Sequence, residues 1–235
     1  MRIVALIPAK GTSHRLSNKN LLAIRGEPLV VRKIRQLKAC SLIDVIYVGS
    51  DSPEILQLAA NEGVVPVRRA DIACDEAVSP ANVMIKDFCS RVEGDIGVWS
   101  HCTNPFLYAS HYEKAIRAFL DNREHHDSLL SVSKLQGHIW NQNGLPENYN
   151  PYASRHTLAA ELPPKYVQDG GIFIQAIEDF RRNSYFFGNR PQLHLHDFVE
   201  SFDINTPDDF AIAELLAESS DRKFGYVPKP GPAVN

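Results

Sequence analysis

No stretch of the 235 residues stays apolar for the roughly 20 positions that a membrane-crossing helix needs. The opening Met1-Arg2-Ile3-Val4-Ala5-Leu6-Ile7-Pro8 is far shorter and lacks the cleavage pattern of an export signal, so it reads as a buried first strand. Basic residues are not in excess either. With 25 Lys and Arg against 28 Asp and Glu, the net charge of −3 excludes the broad cationic footprint of a nucleic-acid binder, and any polyanion has to be met locally. Cysteine is scarce. Cys40, Cys74, Cys89 and Cys102 form no Cys-x-x-Cys pair, which removes the zinc-ribbon and thioredoxin-type readings and leaves reduced thiols suited to the cytoplasm. Internal repeats and low-complexity tracts are absent as well. What is plentiful is core material: 44% hydrophobic residues, enough for one substantial domain with a smaller appendage.

Short β-branched runs (Val4 to Ile7, Val45 to Val48, Ile96 to Trp99) alternate with stretches of helical period at Leu29 to Ala39, Pro53 to Glu62, Ala81 to Val92 and His111 to Asn122. That alternation predicts an α/β fold around a mostly parallel sheet. Asp51-Ser52-Pro53-Glu54 marks a helix start, with a cap, an early proline and a carboxylate near the positive helix end. From about Lys134 the pattern loosens into a Gly-, Pro- and Asn-rich stretch that holds Trp140, Tyr149, Tyr152 and Tyr166. Such a stretch is too long for an ordinary connection, and its aromatics favour a subunit interface. The expected organisation is an α/β core over 1–133, an insertion over 134–168, a return to the core over 169–228 and a tail over 229–235.

The strongest chemical signal is Pro8-Ala9-Lys10-Gly11-Thr12-Ser13-His14-Arg15-Leu16-Ser17-Asn18-Lys19-Asn20, directly after the first strand. Ligands of an α/β sheet gather at the carboxyl ends of its strands. Small Gly11, Thr12 and Ser13 leave backbone N–H groups free to converge, while Lys10, Arg15 and Lys19 offset phosphate charge. The loop is neither a Walker A loop nor a dinucleotide fingerprint, and composition alone leaves a solvated basic loop open.

In this loop the chain resembles the acylneuraminate cytidylyltransferases, whose first strand runs into Pro-Ala-Arg-Gly-Gly-Ser-Lys-x-x-x-x-Lys-Asn. The resemblance continues through Gly26-Glu27-Pro28-Leu29, Gly49-Ser50-Asp51 and Arg68-Arg69-Ala70-Asp71-Ile72-Ala73-Cys74-Asp75, and so spans most of the chain. It implies a Rossmann-like nucleotidyltransferase fold with a small dimerisation insertion. It assigns Lys10 and Lys19 to the phosphates of CTP, Asn20 to the nucleoside, and Gly11, Ser13, Arg15, Arg68 and Ser79 to the nucleotide's surroundings. Ser100-His101-Cys102-Thr103-Asn104-Pro105-Phe106-Leu107 stands where the family has Leu-Gln-Pro-Thr-Ser-Pro-Leu-Arg. By this mapping His101, Thr103 and Asn104 face the acceptor, with His101 replacing a glutamine and Leu107 an arginine. Asp169-Gly170-Gly171-Ile172-Phe173-Ile174 resembles a strand lining the sugar site, where Gly170 admits close approach of a ligand.

The second informative segment is Phe202-Asp203-Ile204-Asn205-Thr206-Pro207-Asp208-Asp209. In extended chain Asp203 and Asn205 share a face, so two oxygens converge as magnesium or manganese requires. The family motif resembled is Asp-x-Asp-Thr, and Asn205 puts an amide at its second carboxylate. Thr206, Pro207 and the two acids read as the start of a helix, and so are assigned to capping. His194 and His196 share one face of a strand without a marked third ligand, which favours a structural role over zinc.

The resemblance implies that the 2-hydroxyl of a sialic-acid-like 2-keto sugar acid attacks the α-phosphate of CTP and expels pyrophosphate, with catalysis by positioning and charge neutralisation. Lys10, Lys19 and Asp203 are the expected catalytic residues, and Asp203 with Asn205 the metal ligands. An octulosonic acid as acceptor, or a non-catalytic binding homologue, remains open on sequence. The family also implies a homodimer in which Arg155 reaches the neighbouring subunit's acceptor site, with neither nucleic acid nor membrane as a partner.

Overall fold

The computed structural model describes residues 1–11, 16, 18–75 and 77–229. The elements run β1 (Ile3–Pro8), β2 (Ala23–Ile24), β3 (Glu27–Pro28), α1 (Leu29–Lys38), β4 (Val45–Ser50), α2 (Pro53–Asn61), β5 (Val65–Arg68), α3 (Asp71–Cys74), α4 (Ala81–Cys89), β6 (Ile96–Trp99), α5 (Ala109–Asp121), β7 (Ser128–Leu135), β8 (Lys165–Ala176), α6 (Ile177–Asn183), β9 (Pro191–His196) and α7 (Pro207–Lys223). A seven-stranded sheet has the order β5-β4-β1-β6-β8-β7-β9, and β8 alone runs against the other six. The expected mostly parallel α/β architecture is present, and all four helices read from periodicity form within a few residues of their expected bounds. Ser52 caps α2 by accepting from Ile55 N, with Pro53 in the first turn.

Every residue of β1 is buried, as befits a central strand covered on both faces. On one face Ile3, Ala5 and Ile7 meet α1, α2, α5 and α7; on the other Val4 and Leu6 meet Phe88 of α4, Phe180 of α6 and Trp99. A buried polar cluster ties α7 to α1. The Arg32 guanidinium pairs with both Asp221 oxygens, donates to Pro105 O at 2.9 Å and lies 3.7 Å from Glu27, which also takes Arg35 at 2.6 Å and the Tyr226 hydroxyl at 2.7 Å. Because Arg32, Glu27 and Asp221 are desolvated, removing one of these three strands the others.

The insertion is the tip of a hairpin. β7 extends to Leu135 and pairs with Lys165 at the start of β8, so the irregular chain covers 136–164 rather than 134–168. Within it, Trp140, Tyr149, His138 and His156 pack edge-on or stacked on one another, yet Trp140 and Tyr152 remain exposed, as does Tyr166 on the adjoining β8.

Candidate active site

A cavity of about 490 Å³ opens at the carboxyl ends of β1 and β6. The loop after β1 contributes Lys10, Lys19 and Asn20 to its wall. Asn20 is buried and its side-chain N–H donates to Lys10 O at 2.8 Å, so the amide holds the loop closed on itself. Gly11 starts this loop at close quarters: a Cβ there would lie 2.8 Å from Ser52 Cβ. Its N–H donates to Asp51 Oδ1 at 2.7 Å, so this amide serves to anchor the loop rather than to meet a phosphate, and Gly11 lies outside the cavity wall. Ser13 and Arg15 fall outside the described residues.

Beyond β5 the structure corrects one assignment. Arg68 points to solvent and pairs with Asp71 at 2.5 Å, whereas Arg69 is 2% exposed, lines the cavity, and donates to Ala73 O at 2.8 Å. Strand alternation explains the swap, since β5 buries Val67, turns Arg68 outward and brings the next side chain in again. Ser79 lines the cavity as expected.

After β6, His101, Thr103 and Asn104 all reach the wall, but His101 has no hydrogen-bonding capacity left for a ligand. Its Nδ1–H donates to Gly170 O at 2.7 Å, and its Nε2 accepts from the Trp99 indole at 3.1 Å, which fixes a neutral imidazole. Burial lowers its pKa from the ordinary value, in keeping with that state. His101 thus faces the cavity as expected, but as part of an aromatic wall shared with Phe173 and Phe186 and not as a hydrogen-bonding group. Gly170 also lines the cavity. It adopts φ 75°, a left-handed conformation that favours glycine, while the space beside it would admit a Cβ.

Asn104 is fully buried. Its side-chain nitrogen donates to Asp169 O and Phe202 O, and its Oδ1 has no hydrogen-bond partner among the described residues. Below it, the Lys33 ammonium on α1 donates to Asn104 O at 2.8 Å and to the Tyr112 hydroxyl at 2.6 Å. Burial pushes the Lys33 pKa down to about 7. Leu107 is buried in the core, and Arg155 is exposed on the hairpin tip, pairing with Glu161 at 2.5 Å away from this chain's own cavity.

Asp203 and Asn205 come together at the cavity, joined to the opposite wall by Ile204 N donating to Thr103 O at 2.9 Å. Asn205 Nδ2 donates to Asp203 Oδ2 at 2.6 Å, and Asn205 Oδ1 lies 3.5 Å from the Lys19 ammonium, which also donates to Ile204 O at 2.9 Å. The reverse amide orientation would set oxygen against oxygen and nitrogen against ammonium, so the assignment is electrostatically fixed. Asn205 thus turns its nitrogen, not its oxygen, toward Asp203. Asp203 Oδ1 is buried without a partner among the described residues and is the oxygen a divalent cation would find. A cation that completes its shell with phosphate and water needs no more from the protein. No group of three or more His, Cys, Asp or Glu among the described residues forms a further metal cluster.

Residues 4–219 match the family model described as cytidylyltransferase. The chain belongs to this family. It is 27% identical over 224 residues to N-acylneuraminate cytidylyltransferase of Streptococcus agalactiae serotype V, covering 89% of this chain and 52% of that protein. It is 28% identical to the CMP-N,N′-diacetyllegionaminic acid synthase of Legionella pneumophila, covering 93% of this chain and 97% of that one. The chain therefore spans about half the length of the first of these relatives and nearly all of the second. A CMP:2-keto-3-deoxy-manno-octonic acid synthetase solved with CTP has the same fold, with a TM-score of 0.68 at 16% identity over 93% of this chain and 99% of that one.

Among family members this chain's cavity also carries residues that the sequence did not single out. Met84 and Phe186 form its apolar side with Ala73 and Cys74. Phe186 arrives by tertiary packing against Trp99, His101 and Phe173, for which the run Tyr185-Phe186-Phe187 gives no advance signal.

Proposed function

We propose that the chain transfers CMP from CTP to the 2-hydroxyl of a sialic-acid-like, nine-carbon 2-keto sugar acid, releasing pyrophosphate. The observation that carries this reading is the meeting of Lys10, Lys19 and Asn20 with a carboxylate, Asp203, whose second oxygen is unsatisfied, in one cavity of a cytidylyltransferase fold. The two lysines balance triphosphate charge, and the fixed loop geometry orders the α-phosphate for attack. Magnesium or manganese would be held by Asp203 and would neutralise phosphate charge when bound. The acceptor class follows from relatives that act on neuraminic and legionaminic acids. Likeness to the octonic-acid synthetase supports the fold alone.

The working form is proposed to be a cytoplasmic homodimer joined through the 136–164 hairpin tip. Four buried free thiols suit a reducing compartment, and no described helix is long and apolar enough to cross a membrane. Pyrophosphate release with CTP, magnesium and a panel of nonulosonic and octulosonic acids tests the reaction. Release with a nonulosonic acid and CTP, but not with ATP, is the expected result; no release with any acceptor would leave a binding homologue.

A further inference from the structure

The proposed acceptor is an anion, and among the described residues the cavity at the ends of β1 and β6 has no cation to spare for it. Lys10 and Lys19 stand on the proposed triphosphate loop, and Lys19 also donates to Ile204 O. Arg69 is held by Ala73 O at 2.8 Å and Asp87 at 3.6 Å. His101 is neutral with both nitrogens used, and Leu107 is fully buried where the resembled family carries arginine.

A second depression of about 550 Å³ shares Asp203 with the first, and Ser133, Lys134, His196 and Ser201 are among its walls. The parallel pairing of β7 with β9 sets Ser133 opposite His196, beside Lys134. Lys134 is exposed, and its ammonium has no ion-pair partner among the described residues. His196 is the reverse, 3% exposed and firmly oriented. Its Nδ1 lies 2.9 Å from Asp169 Oδ2, while Asp169 Oδ1 accepts from the Ser131 hydroxyl and from Gly171 N at 2.9 Å. A carboxylate that accepts on both oxygens places the proton on Nδ1, so Nε2 keeps its lone pair. That Nε2 is buried with no hydrogen-bond partner among the described residues. An orphaned buried acceptor is costly to keep, and a ligand that donates to it removes the cost.

An anomeric 2-keto sugar acid carries an anion at C1 and an O–H donor at C2, on adjacent carbons. We propose that the second cavity receives this pair, the carboxylate at Lys134 and the 2-hydroxyl at Nε2 of His196; this rests on the sugar-acid reading above. As O2 forms its bond to the α-phosphorus of CTP, the bond from that phosphorus to the β-bridging oxygen breaks and pyrophosphate leaves with the electron pair. The hydroxyl proton passes to His196 Nε2, and Asp169 stabilises the imidazolium. Around this ring Lys134 opposes the imidazolium and Asp203 lies across the cavity, while burial lowers the pKa of the neighbouring His111 and His194, on which Glu200 and Lys114 also act.

The test uses the full chain with magnesium and saturating CTP, and as probes N-acetylneuraminate and N,N′-diacetyllegionaminate, each also as its C1 carboxamide. Lys134→Ala should raise the acceptor KM about tenfold or more without changing CTP affinity, and should lose the preference for carboxylate over carboxamide. Lys134→Arg should recover most of both, and since position 134 is exposed these variants keep the fold. His196→Gln should lower kcat by about 100-fold or more and remove the fall in kcat on the acid side of its pH profile. An unchanged KM in Lys134→Ala, an intact acid limb in His196→Gln, or loss of carboxylate preference in Arg155→Ala instead would overturn the assignment. Failure of the unaltered protein to use either sugar acid would sink the sugar-acid reading itself, and this assignment with it.

Discussion

Single atoms decide what the site can do. Asp203 Oδ1 is buried and unsatisfied among the described residues, so truncating the side chain relieves a desolvation cost while removing the only carboxylate those residues give the cavity wall. Asp203→Ala is expected to leave the unfolding midpoint unchanged within a few degrees and to lower pyrophosphate release by roughly 100-fold or more. Unaltered turnover at limiting magnesium would move the metal role elsewhere. Lys33 carries a different kind of consequence. Its folded pKa, about 7, lies below the ordinary 10.5, so between those values the unfolded chain binds the extra proton. Stability conferred through this group therefore rises with pH from about 7 to 10 and is lost as pH falls through 7. Against Lys33→Met, whose side chain cannot titrate, the unaltered protein should gain in melting temperature across that interval. Parallel pH curves for the two proteins would contradict the assignment.

At the scale of elements, the helix start at α7 fixes the geometry of the segment bearing Asp203. Thr206 Oγ1 accepts from Asp209 N at 3.2 Å, and Asp209 Oδ2 accepts from both Asn205 N at 2.9 Å and Thr206 N at 2.8 Å. This capping box was legible in the sequence as Thr-Pro-Asp-Asp, and it separates the two acids by role. Asp209→Ala is expected to cost about 1–2 kcal/mol in urea unfolding. Asp208→Ala, an exposed side chain with no hydrogen bond among the described residues, should stay within about 0.5 kcal/mol. Equal effects of the two would show that general helix-dipole charge, rather than the box, holds the turn.

For the molecule as a whole, the hairpin and the adjoining sheet edge leave an apolar surface that one chain does not cover. Leu135, Trp140, Tyr152, Tyr166 and Val167 are exposed on the hairpin and Leu193 and Leu195 on the neighbouring β9. Apolar residues gathered in this way favour a partner surface. Light scattering at micromolar concentration should give twice the mass of the chain, and Tyr166→Asp combined with Leu195→Asp should shift it to the monomer. A fully active monomer of the unaltered protein would refute the dimer and detach Arg155 from the neighbouring site.

The sequence by itself determined whatever depends on local period and local chemistry. Alternation of short β-branched runs with helical stretches specified the α/β sheet, and the order of small and basic residues after β1 located Lys10 and Lys19, with Asn20 added by the family resemblance. The extended spacing of Asp203 and Asn205 brought them to one face. What only the tertiary structure decided is where each hydrogen-bonding group is spent. Asn205 shows its nitrogen to Asp203 because Lys19 takes the oxygen, His101 is silenced because Trp99 and Gly170 claim both its nitrogens, and Gly11 N–H is used by Asp51. Those partners lie up to 186 residues apart along the chain. No local pattern encodes such a pairing, because a side chain's remaining valence is set by whichever groups the packed core brings beside it.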